Sequence, residues 1–317
     1  MKSDPLVSVC CITYNHAKYV RECLDGLVMQ QTDFKYEIII HDDASSDETQ
    51  KIICEYVEKY PNLFVPILQS ENQYSKGIKT ILASFCYPRA KGKYIALCEG
   101  DDYWTDPYKL QKQVDFLEKH SEYSMCTSNV INLSGEKRIP SKWNSKEDRD
   151  LEINEIIMNG GLFIATCSIV FRFKLFFEMP DKARKLHVGD YPLQIYMAYK
   201  GKVRMIAQDF CVYRIAVAGS WTERQCKQQL DYYASRDMLS KELYLLSVMD
   251  EVTQYKYHNE FNKRKALYKY NTDFFFRGRD CIRSFMTSPF TIYKHHTIKH
   301  ILFSFLPKKL KRKLRGK

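Results

Sequence analysis

Short continuous apolar runs alternate with stretches of helical apolar spacing over the first third of the chain. Residues 6–13 (LVSVCCIT), 36–41, 64–68 and 94–98 (YIALC) lack polar alternation, as strands covered on both faces do. Between the first two runs, residues 17–30 place Val20, Cys23, Leu24, Leu27 and Val28 on one helical face. Ser45-Ser46-Asp47-Glu48 has the spacing of a capping box and leads into a helix that ends near Lys59. Asp47 then falls in the first turn, where a negative charge meets the helix dipole. Residues 78–90 supply a third helix. The order β-α-β-α-β-α-β with short connections predicts a doubly wound, mainly parallel sheet with helices on both faces.

Ligands of such sheets bind outside the carboxyl ends of the strands. Three polar clusters fall at those ends: Thr13-Tyr14-Asn15, Asp42-Asp43 and Glu99-Gly100-Asp101-Asp102. In extended chain Glu99 and Asp101 face one side, and Gly100 keeps the backbone slim enough for a ligand to approach. Converging carboxylates suit a hard cation such as Mg2+ or Mn2+; the alternative is an acidic turn whose charges are solvated. No GxGxxG follows the first strand and no GxxxxGK[ST] occurs, which disfavours dinucleotide and P-loop sites.

Downstream, Asp106-Pro107 reads as a helix start, followed by a helix over residues 107–120 and a strand over 123–128. Residues 133–150 form a charged surface excursion, either an acceptor-selecting loop or an idle one. Residues 164–171 read as another buried strand. Asp190, in Val188-Gly189-Asp190-Tyr191-Pro192-Leu193, precedes an apolar helix ending near Lys200-Gly201 and by spacing alone is a candidate helix cap, a reading that leaves a functional role open. Beyond Trp221 helical patterns take over, at residues 224–249 and 256–284, which places a domain boundary near Thr222. The Tyr-rich faces of these helices read as packing surface.

Composition adds limits. A hydrophobic content of 45% over 317 residues is ample for a packed core. Eleven cysteines without CxxC pairing point to reduced thiols in a cytoplasmic setting. The first strand follows Met1 too closely for a signal peptide, and no apolar run is long enough to span a bilayer. The formal net charge of +11 would suggest nucleic acid, but ten basic and no acidic residues fall within residues 281–317. The body is therefore close to neutral, and no nucleic-acid partner is expected. Residues 292–317 combine that charge with Ile298, Ile301, Phe303 and Phe305, a pattern suited to an anionic membrane surface.

Over residues 6–221 the chain resembles family 2 glycosyltransferases of the GT-A type, in the class that builds bacterial surface polysaccharides. Thr13-Tyr14-Asn15 resembles the opening motif, Asp42-Asp43-Ala44-Ser45-Ser46-Asp47 the Asp-Asp-Gly-Ser-x-Asp segment, and Glu99-Gly100-Asp101-Asp102 the Asp-x-Asp-Asp metal motif. Tyr103-Trp104 with Lys109-Leu110 resembles the continuation. Two departures stand out: Glu99 replaces the usual Asp and Ala44 the usual Gly. A third lies in Tyr213-Arg214-Ile215-Ala216, where Ala216 stands in the position of a His that assists at the metal or diphosphate.

The resemblance implies a nucleotide-diphosphate sugar donor, usually a UDP-sugar, and a Mg2+ or Mn2+ cofactor. Tyr14 would lie against the base, with Thr13 and Asn15 beside it, and Asp43 would accept from the uracil N–H. Asp101 would bind the metal, Glu99 the ribose or the metal, and Asp102 would orient the donor sugar. Asp190 becomes the catalytic base. Trp104, Arg214 and Trp221 are candidates for acceptor or diphosphate contacts. The expectation is a GT-A-like α/β fold over residues 1–221 with a helical region over 222–317. Its activity would be inverting, metal-dependent transfer to a lipid-linked or polysaccharide acceptor at the inner face of the cytoplasmic membrane. Two other readings stay open: a degenerate nucleotide-sugar-binding protein, and a nucleotidyltransferase.

Overall fold

A computed structural model describes residues 4–215, 217 and 232–276, the side chains of 232–235 and 271–276 excepted. The chain divides into two units, Met1–Lys269 and Tyr270–Lys317; of the second, only the backbone end of one helix and Tyr270 are described. The remainder concerns the first unit.

Four apolar runs form the parallel half of a ten-stranded sheet: β1 (Val7–Thr13), β2 (Tyr36–Asp42), β3 (Phe64–Leu68) and β4 (Tyr94–Glu99). Helix α1 (Val20–Val28) joins β1 to β2, and α2 (Thr49–Lys59) joins β2 to β3. Their order in the sheet is β3-β2-β1-β4. The chain therefore winds outward from β1, then crosses back to its other side. A crevice opens where the winding direction changes, at the carboxyl ends of β1 and β4, and there Ile12 is in register with Glu99.

The sheet continues through β9 (Val170–Arg172), β6 (Tyr123–Ser134), β10 (Lys202–Arg214) and β5 (Tyr103–Trp104). β7 (Lys137–Pro140) and β8 (Arg149–Leu151) pair at its margins. The long ladders, including β6 with β10, are parallel; the antiparallel ones are short. Helices α3 (Lys109–Lys119), α4 (Ile153–Asn159), α5 (Phe173–Glu178), α6 (Asp181–Arg184) and α7 (Asp190–Lys200) complete the sequence up to β10. Helices α8 (Tyr232–Val252) and α9 (His258–Phe276) follow.

Both faces of the parallel strands are covered, which is why the runs are apolar without alternation. Val9, Cys11, Ile38, Ile40, Ala96 and Cys98 pack on one side with α1, α2 and α3 through Leu24, Leu27, Ile53 and Val114. Cys10, Ile39, Ile95 and Leu97 pack on the other with α4, α5, α7 and α8 through Ile156, Phe176, Ile195, Leu245 and Met249. Helix α8 thus shares the core of the sheet, although the boundary expected near Thr222 falls among residues outside those described. The nine described cysteines are unpaired, and all but Cys54 are buried.

Several local expectations are corrected. The helix over residues 78–90 is reduced to a π turn at Leu82–Cys86 and a 3-10 turn at Tyr87–Arg89, since Pro88 offers no N–H to continue an α-helix. Within 164–171, Thr166–Ser168 is a 3-10 turn and strand starts only at Val170. Ser168 Oγ donates to Ala165 O at 2.7 Å, a local bond that competes with strand pairing. The capping box at Ser45 and Glu48 does not form. Instead Asp47 Oδ1 accepts from Thr49 N at 3.0 Å, and Ser45 Oγ accepts from Asn15 N at 2.8 Å. Asp106 does serve the start of α3, its Oδ1 accepting from Tyr108 N at 2.7 Å. The excursion at 133–150 is ordered by the β6–β7 hairpin and by Trp143 against Phe163, ring centroids 5.2 Å apart.

Candidate active site

The acidic loop hangs from the ends of β1 and β4. Gly100 N donates to Ile12 O at 2.9 Å and Asp102 N to Glu99 O at 2.9 Å, so the chain turns sharply after the strand. A Cβ on Gly100 would come within 2.4 Å of Thr13 Cγ2 and 3.0 Å of His16 Nδ1; only glycine fits between β1 and this turn. The turn brings Glu99, Asp101 and Asp102 together, with one oxygen of each within 4.8 Å of the others.

The electrostatics of this triad demand a counter-charge. Burial, and then the charges of Asp101 and Asp190, push Glu99 up to about 8. Burial, followed by Asp101 and Glu99, raises Asp102 well above the carboxylate range. Asp102 Oδ1 accepts from Arg214 N at 2.8 Å, while its Oδ2 is buried with no hydrogen-bond partner. An orphaned buried oxygen beside two further carboxylates fits a hard divalent cation, whose charge would restore all three to the ionised form. Arg214 braces the loop: its guanidinium donates to Asp101 O and Glu22 and lies 4.6 Å from the Tyr103 ring.

The neighbouring loops divide into supports and cleft walls. Asp42 is fully buried and accepts from Thr13 Oγ1 at 2.8 Å, Ser45 N at 2.9 Å and Gln50 Nε2 at 2.7 Å; it is a structural anchor. Asn15 Oδ1 accepts from Ser46 N at 2.8 Å and clamps the loops after β1 and β2 together. Asn15 does not line the cleft, a correction to its expected donor contact. Asp43 does line it, and its carboxylate organises the next loop, Oδ1 accepting from Gln73 N at 2.7 Å and Oδ2 from Tyr74 N at 3.1 Å. Each oxygen retains a lone pair for a ligand donor. Tyr14 projects into the cleft and is 40% exposed, a surface available to a planar ring.

The cleft measures about 510 Å3, within the range of small-molecule sites, and joins these groups to Asp190. Asp190 opens helix α7, yet its carboxylate is only partly spent there, Oδ1 accepting from Tyr191 N at 2.8 Å. Burial raises its pKa, and its charge acts on Glu99. Asp101, Glu99 and Asp190 thus converge on one space although 89 residues separate Asp101 from Asp190 in the chain.

Three expected contacts fail or fall outside view. Trp104 is 1% exposed, and its Nε1 donates to Cys167 O at 2.8 Å, so it is a core residue and not an acceptor contact. Asp102 likewise lies outside the cleft lining, grouped with Glu99 and Asp101 and away from the expected donor-sugar contact. Trp221 and Ala216 lie outside the described residues. No described residue of 133–150 lines the cleft. Sequence reasoning missed the wall formed by Tyr74, Lys79, Phe176, Met179, Arg184 and His187. These come from turns and short helices whose spacing carries no chemical signature. His187 is held at 3.3 Å by Glu242 from α8.

A mostly parallel sheet that ends in an acidic loop, facing a carboxylate across a nucleotide-sized cleft, defines a GT-A type of architecture. Residues 8–177 match Glycosyl transferase family 2, and the chain belongs to that family. It is 39% identical over 221 residues to an uncharacterized protein of Mycobacterium tuberculosis, an alignment that takes in 68% of this chain and 60% of that one. Among solved structures it resembles residues 1–349 of TarS from S. aureus, with a TM-score of 0.51 at 17% identity over 80% of this chain and 74% of that one. It also resembles GalNAc-T7 crystallised with UDP, GalNAc and Mn2+, with a TM-score of 0.52 at 14% identity over 75% and 51% of the two chains. At these identities the structures speak for the fold alone.

Proposed function

We propose that the protein is an inverting, metal-dependent glycosyltransferase that moves a sugar from a UDP-sugar to a hydroxyl of a lipid-linked or polysaccharide acceptor. The observation that carries this reading is the single cleft shared by Asp101, Glu99 and Asp190. Asp101, with Glu99 and Asp102, would hold Mg2+ or Mn2+, which supplies positive charge to the departing diphosphate. Asp43 and Tyr14 would take the uracil, and Thr13 shapes the cleft floor beneath the acidic loop. The acceptor oxygen attacks the anomeric carbon, the bond from that carbon to the diphosphate oxygen breaks, and Asp190 takes the acceptor proton. Burial raises its pKa above the ordinary carboxylate value, which makes it a stronger proton acceptor.

The test is turnover of a nucleotide-sugar panel with Mg2+ and Mn2+, followed by Asp190→Asn. Asn keeps the size and the capping ability of Asp but cannot take a proton. Transfer or donor hydrolysis should fall on the order of 100-fold, with UDP affinity near wild type. Undiminished turnover would remove Asp190 as the base; pyrophosphate release from UTP would instead mark a nucleotidyltransferase. Among the described residues no helix is long and apolar enough to cross a membrane. The basic segment 292–317 lies outside the described residues, and on its sequence we assign it to the anionic inner face of the cytoplasmic membrane. Equal sedimentation of the full chain and a chain lacking 308–317 with anionic liposomes would rule that assignment out.

A further inference from the structure

Within the transferase reading, the cleft-lining imidazole of His16 has no role. His16 follows the β1 motif, and its backbone is fixed on three sides. Its N donates to Thr49 Oγ1 at 2.9 Å, and its O accepts from Tyr19 N and Val20 N at 2.8 Å each. The ring root is thereby tied to the starts of α1 and α2. The imidazole lies close to the acidic loop, where a Cβ on Gly100 would reach 3.0 Å from Nδ1. Its Nε2 is 3.9 Å from Asp101 Oδ2, too far for a hydrogen bond but close enough for both atoms to touch one ligand. Nδ1 is buried and has no hydrogen-bond partner. A proton on Nδ1 would be a buried donor without an acceptor, so the favoured neutral tautomer carries it on Nε2, facing Asp101 and the cleft.

Four other basic groups of the cleft are committed elsewhere. Arg214 is held by Glu22 and Asp101 O. Lys79 Nζ donates to Tyr74 O at 2.8 Å and lies over the Tyr74 ring. Arg184 pairs with Asp181, and His187 with Glu242.

We infer that His16 binds the diphosphate of the nucleotide donor, its Nε2–H donating to a phosphate oxygen next to the cation held by Asp101. It is a leaving-group residue supplied by the loop after β1. The bond forms to the bound donor and persists as the diphosphate departs, so it stabilises the charge that develops on the leaving oxygen.

The test compares UDP with UMP, which lacks the β-phosphate, by calorimetry in MnCl2. His16→Ala should weaken UDP about tenfold or more, the scale of one hydrogen bond to a charged group, while UMP affinity stays within about twofold. His16→Gln, which keeps a side-chain N–H, should recover part of the loss. Retained UMP binding also reports that the loop after β1 is intact. A UDP-to-UMP affinity ratio in His16→Ala equal to that of wild type overturns the inference and leaves the transferase reading standing. Absence of Mn2+-dependent UDP binding in the wild type overturns both.

Discussion

Ala44 has φ +61°, in the left-handed region, where a Cβ crowds the following carbonyl. This explains why the related motif has Gly at that place: the chain must reverse between Asp43, which faces the cleft, and Ser45, which bonds to Asp42. The strain is local and removable. Ala44→Gly should raise stability by about 0.5–1 kcal/mol, the relief of strain offset in part by the greater freedom of Gly in the unfolded chain. A higher urea midpoint at unchanged m value is the expected readout, and a lower one would show that the conformation costs nothing. Glu99 gives a second prediction at this scale. Its folded pKa of about 8 lies above the ordinary 4.5, so its contribution to stability is complete below pH 4.5 and is lost as pH rises through 8. The metal-free protein should therefore lose melting temperature between pH 5 and 8.5. Added MgCl2 should restore it most at the alkaline end, where the carboxylates are free to ionise and bind. Glu99→Gln should flatten the metal-free profile; an unchanged slope would mean that another group sets it.

Among the elements, α1 and β5 make the approach on which the acidic loop depends. Trp104 begins where that loop ends, and its backbone presses on α1 at Gly26, where a Cβ would lie 2.7 Å from Trp104 O and 2.9 Å from Trp104 N. Backbone cannot yield as the tip of a side chain can, so Gly26→Ala must push α1 away from β5. The expected cost is about 1–3 kcal/mol, the usual scale of overpacking. Because Asp101 and Asp102 lie three and two residues ahead of Trp104, metal-dependent UDP binding should weaken as well. Thermal melts with calorimetry would check both, and an unshifted melt would show that α1 packs less closely here. At this scale periodicity located β1, β2, β3, β4, α1 and α3, since each buries a continuous face. It failed at residues 78–90 and 164–171, where Pro88 and the Ser168 hydroxyl redirect the backbone in ways that apolar spacing does not register.

For the whole molecule, helix α8 decides where the folded unit ends. Leu245, Leu246 and Met249 on α8 and Phe261 on α9 are fully buried in the core behind the sheet, where α8 packs against α6 and α7. Each buried side chain of this size stabilises by roughly 1.5–3 kcal/mol, so four together amount to much of the stability of an ordinary domain. A chain cut after residue 221 should therefore be insoluble or molten on expression, whereas one cut after residue 276 should melt cooperatively. A soluble, cooperatively folding 1–221 fragment would show that α8 is dispensable. The same helix brings Glu242 to His187 beside Asp190, so the cleft wall is incomplete without it.

The sequence by itself determined the order of strands and helices, the acidic loop at the end of β4 and the family of the chain. All three depend on neighbours within a few residues: apolar runs form strands, and short motifs at strand ends keep their spacing whatever the rest of the chain does. Tertiary structure alone decided which polar residues face the cleft. Asp42 and Asp43 are adjacent and chemically alike, yet one is an anchor with no exposure and the other a cleft wall, because the pleat of β2 ends between them and turns their side chains apart. Trp104 was a candidate for an acceptor or diphosphate contact and is a core residue, since β10 and Cys167 close over it. His16, Lys79, His187 and Glu242 became parts of one site only when loops distant in the chain met at the crevice where the winding direction of the sheet changes. Those meetings depend on how layers pack, and no local pattern encodes them.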